Sequence, residues 1–423
     1  MIQTEILKNV RYNIIVGILD AAFFGLAMGF VSSTTIIPLF VDTLTDNTAI
    51  IGLLASVHMV GWQLPQILTV NRVARLGRYK PMVLVMTIHE RWPFLAMVAV
   101  VLLLPTIGPA AALWLTFVFL SWRAIGGGLT GTAWQSMIGK VIPQDRRGAF
   151  WGSQSAGANL LSAASAPIAG LILVKIAYPQ NFALCFFVAS FWMIISWGFL
   201  AMMREPEREI PAQQKEHPLG WSHFKTILRG DSNFRLFIVA RFLAQFGAMA
   251  TTFYTIYGVR HLGLDEVAAG GLYSVLTLSA TVANPALGWL GDRWGHRLVF
   301  AGSLLAVAGG AILAIVAPDA TWLYPVFALA GVGHAGAWTI AMTMTVEFGT
   351  EDDRPYYIGL TNTLISPATL IAPFIGGWLA DAMGFGATFT LAAVASIITA
   401  MILVFVLHDP QPRKRRGRVA QIV

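Results

Sequence analysis

Apolar runs of about twenty residues recur along the whole chain, and that recurrence constrains the fold more than any other feature. A run of 18 or more apolar residues with few charges is long enough to cross a bilayer as an α-helix. A soluble domain can bury one such helix, but not a dozen. Of 423 residues, 56% are hydrophobic and only 12% are charged, about half the charged share usual for soluble domains. A helix satisfies its own backbone hydrogen bonds in lipid, whereas a membrane barrel would require shorter, alternating segments that are absent here. The expectation is an all-α membrane protein.

Six spans are expected at roughly 13–40, 49–70, 81–104, 113–138, 151–174 and 182–203, and six more at roughly 234–257, 267–290, 298–317, 322–346, 357–380 and 386–407. Between the two sets lies the longest polar stretch, 204–235. The domains expected are therefore 1–203, a linker over 204–233, 234–408, and a basic tail over 409–423. In the linker, Trp221, Phe224 and Leu228 fall at helical spacing among His223, Lys225 and Arg229, which predicts a short helix lying on the membrane surface. The Pro- and Glu-rich part before it is expected to be a flexible link.

A net charge of +7 raises the question of a nucleic-acid partner, and the placement of the charge answers it. Lys8, Arg11, Arg72, Arg75, Arg78, Lys80, Lys140, Arg146 and Arg147 fall in alternate loops, with the linker, Arg293, Arg297, Arg354 and the tail from Arg413 to Arg416 on the same side. The opposite loops hold only Lys175 and Arg260. Basic residues mark cytoplasmic loops, so both termini are expected in the cytoplasm of a multi-pass protein in an inner or plasma membrane, with no nucleic acid involved. The tail either touches anionic lipid or is solvated. The single Cys185 forms no intrachain disulfide. The first apolar run is too long for a cleaved signal peptide, so the first span is expected to direct insertion.

The two sets share local features in the same order. Asn9, Val10 and Arg11 precede the first span as Asn233, Phe234 and Arg235 precede the seventh. Asp145, Arg147 and Gly152 follow the fourth as Asp352, Arg354 and Gly359 follow the tenth, and Pro167 with Gly170 parallels Pro373 with Gly377. Between spans eight and nine stand Gly288, Asp292, Arg293, Gly295, His296 and Arg297. This run resembles the Gly-x-x-x-Asp-Arg-x-Gly-Arg loop signature of the major facilitator superfamily, with His296 in the last basic position and Arg297 after it. The copy after the second span keeps Arg75, Gly77 and Arg78 but has Val70 and Ala74 where Gly and Asp are expected.

The resemblance implies twelve transmembrane helices in two pseudo-symmetric six-helix bundles that work by alternating access. It gives Asp292 and Arg293 a gating role, against the plainer reading of a topology determinant with helix capping, and the loss at Ala74 implies an asymmetric lock. Arg123, followed by Gly126, Gly127 and Gly128, resembles the family's span-four signature, with Gly126 replacing Gln. In proton-coupled relatives that arginine is linked to proton transfer. The antiporter Gly-Pro signature is matched only loosely, because Ala166 and Ala372 stand before the prolines.

Charges inside spans cost several kcal/mol each when unpaired, so they mark function or fixed pairs. The candidates for proton coupling or substrate binding are Asp20, Glu90, Arg91, Arg123, Arg241 and His334, with His58 and His89 behind them. Glu90 and Arg91 point about 100° apart on one helix, so each needs a partner elsewhere; structural pairing and substrate contact both stay open. Asp20 is read as a proton carrier or half of an inner-gate pair, Arg241 as an anion or counter-ion site, and Arg123 as proton-linked or bridged to Glu90 or Asp20. His334 is read as a site residue or an ordinary hydrogen-bonding one. Trp62, Gln63, Gln66, Trp134, Gln135, Asn159, Trp338 and Asn362 are candidates for a cavity wall.

No phosphate loop, zinc-like His/Cys cluster or hydrolase elbow is present in the sequence, so no enzyme, cofactor or metal is expected. The reading is a monomeric secondary transporter moving a small molecule, with protons and the bilayer as its other partners. Proton-coupled efflux of an amphipathic compound is the first expectation. Uptake of a polar or anionic metabolite, or a transporter-like sensor, is the alternative.

Overall fold

The computed structural model describes residues 2–32, 36–45, 60–208, 221–264, 266–350 and 352–410. Among them every regular element is helical. Before the linker run α1 (Ile2–Phe30), α2 (Ile36–Asp42), α3 (Gln66–Ala74), α4 (Lys80–Met86), α5 (Ile88–Val141), α6 (Arg147–Lys175) and α7 (Gln180–Met202). After its described end come α8 (Trp221–Gly230), α9 (Ser232–Ala248), α10 (Ala250–His261), α11 (Glu266–Trp294), α12 (His296–Val316), α13 (Leu323–Ala335), α14 (Ala341–Glu347), α15 (Arg354–Met383) and α16 (Phe385–Met401).

Nine helical stretches among the described residues are long and apolar enough to cross a membrane. One of them, Lys80–Val141, has 62 residues and covers the expected third and fourth spans. At 1.5 Å per residue it would be roughly 90 Å long, about three bilayer cores, so it has to turn back. It does so at Gly108, whose φ of 76° lies in the left-handed region that glycine adopts without a steric penalty. Pro105 and Pro109 flank that turn. The expected second span falls partly on 49–59, outside the described residues, as does His58. The expected eighth, α11, is 29 residues long, and Ser274, Thr277, Ser279, Thr281 and Asn284 dilute its apolar character.

Small residues set the packing. A Cβ on Gly25 would strike the Ala158 backbone and one on Gly29 would strike Ser165, so α1 lies directly on α6. Gly148 and Gly288 meet backbone to backbone where α6 crosses α11, and Gly152 lies equally close to Asn284. The outer faces carry bare apolar side chains, with Val174 81%, Phe405 80% and Leu68 76% exposed. A surface that apolar suits lipid rather than water.

The predicted short helix forms as α8, and its Phe224 and Ile227 face protein. Phe224 is buried, and both Phe224 and His223 pack their rings on Tyr356 of α15. The expected flexible link is described only as far as Arg208, and that part is fixed. Arg204 exchanges two hydrogen bonds with Asn13, donating its N–H to Oδ1 at 2.9 Å and accepting from Nδ2 at 2.8 Å. Asp231 then caps α9 by accepting the Phe234 N–H at 2.8 Å.

Candidate functional site

Helices from both sides of the linker enclose a cavity of about 570 Å³, in the range of small-molecule sites. All six candidates, Asp20, Glu90, Arg91, Arg123, Arg241 and His334, line it. Trp62, Gln63, Trp134, Gln135, Trp338 and Asn362 line it as well. Gln66 sits behind the wall, where its Oε1 accepts from Asn362 Nδ2 at 2.6 Å. Asn159 is not among the lining residues.

The charges of α1 and α5 are bound into one buried network. Asp20 Oδ1 lies 3.5 Å from Arg91 Nη2 and accepts the Ser196 hydroxyl at 2.6 Å. Arg91 also donates to Ser196 Oγ at 3.1 Å, to the Met193 carbonyl at 3.3 Å, and to the carbonyl and hydroxyl of Thr87. Its guanidinium stands 5.4 Å from the Phe24 ring centroid. Arg91 thus finds its partners on α1 and α7 and at Thr87, one turn back in its own helical stretch. Glu90 has no such pair: among the described residues no basic group lies within ion-pair distance of it. Its carboxylate lies beside Gly127, where an added Cβ would come within 3.2 Å of both Glu90 Oε1 and Trp62 Cδ1.

Arg123 does not take Asp20, which Arg91 already holds. It donates to Met28 Sδ at 3.4 Å and stands 5.2 Å from the Phe94 ring centroid. On the other wall, Arg241 projects from α9 with Nε and Nη1 buried and without a hydrogen-bond partner among the described residues. His334 near the end of α13 opens onto the cavity, and a π-helical turn, Gly336–Ile340, follows it. That turn carries Trp338, whose ring lies 5.7 Å from that of Trp62 across the cavity boundary. Sequence reading missed Ser196, Thr87, Gln154, Ser155 and Gln245; the available signal was polar residues inside apolar helices.

One end of the molecule, the basic face, is closed by the loop signature and the linker. Asp292 accepts the N–H groups of Gly148 at 3.0 Å and Ala149 at 2.7 Å, so it caps the amino terminus of α6. Gly295 turns the chain with φ 103°. His296 then stands between two carboxylates, its Nε2 3.3 Å from Asp292 and its Nδ1 3.0 Å from Glu347. Arg293 lies 4.0 Å from the Trp289 ring centroid, and Arg297 donates to the Val404 and Leu407 carbonyls.

The other loop copy is held differently. Ala74 offers only its carbonyl, which accepts Arg208 Nη2 at 2.6 Å, and the Leu76 carbonyl accepts Arg208 Nε at 3.1 Å. Arg208 Nη1 meets Asp352 at 3.0 Å. The Gly77 carbonyl accepts from Lys140 Nζ at 2.8 Å and from the Arg208 N–H at 3.1 Å. Glu205 accepts the Tyr79 and Lys80 N–H groups and pairs with buried Lys140 at 3.0 Å. Arg78 makes an exposed pair with Glu207 at 3.5 Å. Among the described residues Arg75 makes no side-chain hydrogen bond or ion pair of this kind, although its charge acts on Tyr356 of α15.

A family model for the Major Facilitator Superfamily matches residues 19–283 and 253–421. Thioclapurine efflux transporter tcpA of Claviceps purpurea is 33% identical over 141 residues, 33% of this chain and 26% of that protein. Multi-drug resistance efflux pump PmrA of Streptococcus pneumoniae is 28% identical over 156 residues, 36% of this chain and 38% of that protein. The chain's matched stretches therefore span well under half the length of these curated relatives. In solved structures the likeness is over full length. The E. coli fucose:proton symporter FucP superposes with a TM-score of 0.73 at 14% identity, covering 93% of this chain and 98% of that one. A bacterial homologue of the iron transporter ferroportin in an outward-facing state gives 0.72 at 13%, with the same two coverages. Those structures bear on the fold alone, while the family model covers nearly every residue: the chain belongs to the Major Facilitator Superfamily of membrane transporters.

Proposed function

We propose that this chain is a proton-coupled secondary transporter that exports an amphipathic small molecule by alternating access. Twelve transmembrane helices in two six-helix bundles, 1–203 and 234–408, rock about the central cavity, with 204–233 as their tether. The observation that carries the reading is the cavity itself, walled by both sets of helices and shut at the basic face by contacts between them. By the charge rule that face is cytoplasmic, both termini lie there, and the conformation is the outward-facing one. The protein works as a monomer in an inner or plasma membrane. Export follows the named activity of its efflux relatives.

Proton coupling rests on Asp20, buried on the cavity wall. A proton on Asp20 removes the charge that Arg91 is paired with, and Ser196 links the two groups. Arg91 is then free to follow α5 when the bundles rock, which ties protonation to conformation. Glu90, beside the cavity with no ion pair among the described residues and within electrostatic reach of Arg123, is the second candidate to carry a proton. Asp292, with His296 and Glu347, forms the gate that must open to load from the cytoplasm.

The test is flux of a fluorescent amphipathic dye in proteoliposomes, with and without a pH gradient. A gradient is expected to accelerate export at least tenfold, and Asp20→Asn to remove that acceleration while dye exchange continues. Identical flux under both conditions would overturn proton coupling.

A further inference from the structure

We propose that Arg241 anchors the anionic head of the cargo, and that this transporter is built for an amphipathic organic monoanion with an aromatic body. The inference rests on the transport reading above and narrows it to a substrate class.

The cavity wall carries Asp20 and Glu90 against Arg91, Arg123 and Arg241, one formal positive charge in excess with the histidine left out of the tally. The three arginines are not equivalent. Arg91 is held by Asp20, Ser196 and Thr87, and Arg123 by Met28 and the face of Phe94. Arg241 keeps two buried N–H-bearing nitrogens with no acceptor among the described residues. Leaving a guanidinium so placed is costly unless something else supplies the acceptor.

Among the described residues, the helices around Arg241 do not supply it. The elements packed most against α9 are α8, α10, α12, α13, α15, α16 and the helical turn Ile402–Val406, and the one carboxylate within them is Asp381 on α15. Helices α9 and α15 start side by side, where the Tyr357 hydroxyl donates to Asp231 at 3.0 Å. Arg241 lies nine residues into α9 and Asp381 twenty-seven into α15, so they differ in depth by roughly 25 Å. No neighbouring side chain on those helices can neutralise Arg241 from its own level.

A carboxylate suits this group, since a guanidinium offers it two parallel N–H donors along one edge. The remaining wall asks for a flat apolar body. Trp62 and Trp338 come from opposite sides of the linker with ring centroids 5.7 Å apart, and Trp338 is 42% exposed. An aromatic group can stack on either ring, with Phe24, Trp134 and Met342 enclosing it.

The experiment uses the full chain in detergent micelles and three probes sharing one ring system: 1-naphthoate, neutral 1-naphthamide and cationic 1-naphthylmethylammonium. Calorimetric titration should show naphthoate binding at least tenfold more tightly than the other two. Arg241→Gln should weaken naphthoate at least tenfold and leave the amide unchanged, while Arg241→Lys retains part of the preference. Equal or tighter binding of the amide or ammonium overturns the proposal, as does no naphthoate binding by the natural protein. So does a naphthoate affinity within twofold in Arg241→Gln; if that variant does not fold, the probe ranking and Arg241→Lys decide. Dye flux in vesicles tests the transport reading separately. Flux without naphthoate binding sinks the cargo class alone, and Arg241-dependent binding without flux sinks the transport reading alone.

Discussion

The loop at Asp292 and its counterpart at Ala74 solve one problem with opposite charges. Asp292 reaches the start of α6 and accepts its free N–H groups, the positive end of a helix. Ala74 ends α3, and the free groups there are carbonyls, the negative end. They are taken by Arg208, 134 residues further along, which also reaches Asp352 at the start of α15. The lost acidic side chain is thus not replaced in kind. The linker supplies a cation that suits the helix end actually present and makes a second latch across the basic face.

The comparison breaks first at the glycines. Replacing Gly288 with Leu drives a side chain into the Gly148 backbone, and backbone cannot step aside as a flexible side chain can. Closure of the basic face should be lost, at a cost of about 3 kcal/mol or more. Spin-label distances across that face should lengthen, and transport should fall about a hundredfold. An unchanged distance distribution would mean that the Gly148–Gly288 crossing does not set the closed state.

Asp292→Asn comes next. It keeps the shape but weakens the cap on α6 and leaves His296 with a single carboxylate, a loss of about 1–3 kcal/mol to the closed state. Arg208→Ala should cost about 1–2 kcal/mol, because the Ala74 and Leu76 carbonyls lose a charged donor and Asp352 its partner. Measured by the same distances, Arg208→Lys should recover less than half of the loss, since one ammonium cannot span three acceptors so far apart. If Arg208→Ala leaves closure intact, the linker is a tether only.

How far the sequence revealed this differs from region to region. The apolar runs marked the helices because lipid demands an apolar surface whatever the tertiary contacts are. Gly288 and Asp292 were legible because their spacing is local. Asp20 and Arg91 were visible as costly charges, but their pairing was not, since it depends on how α1, α5 and α7 are placed around Ser196. Arg208 was invisible for the opposite reason. It lies in a polar stretch where an arginine is unremarkable, and nothing local shows that three acceptors await it. That Arg241 Nε and Nη1 meet no acceptor among the described residues belongs to the same class, because it is a property of the packed helices and not of the residue.

The smallest expected effect is the sharpest check on reading signatures through structure. Arg78 is a kept member of the loop pattern, so pattern alone ranks it beside Asp292. In the folded chain it makes a pair with Glu207 at 3.5 Å, both side chains more than half exposed. Solvent screens such a pair, and holding two long side chains together offsets much of what remains, leaving about 0–1 kcal/mol. Arg78→Ala should therefore shift closure by less than about 0.5 kcal/mol, a difference that raising the salt to ~1 M should erase. An effect as large as that of Arg208→Ala, and insensitive to salt, would place Arg78 in the latch itself. It would then have to act in the opened conformation, with a partner other than Glu207.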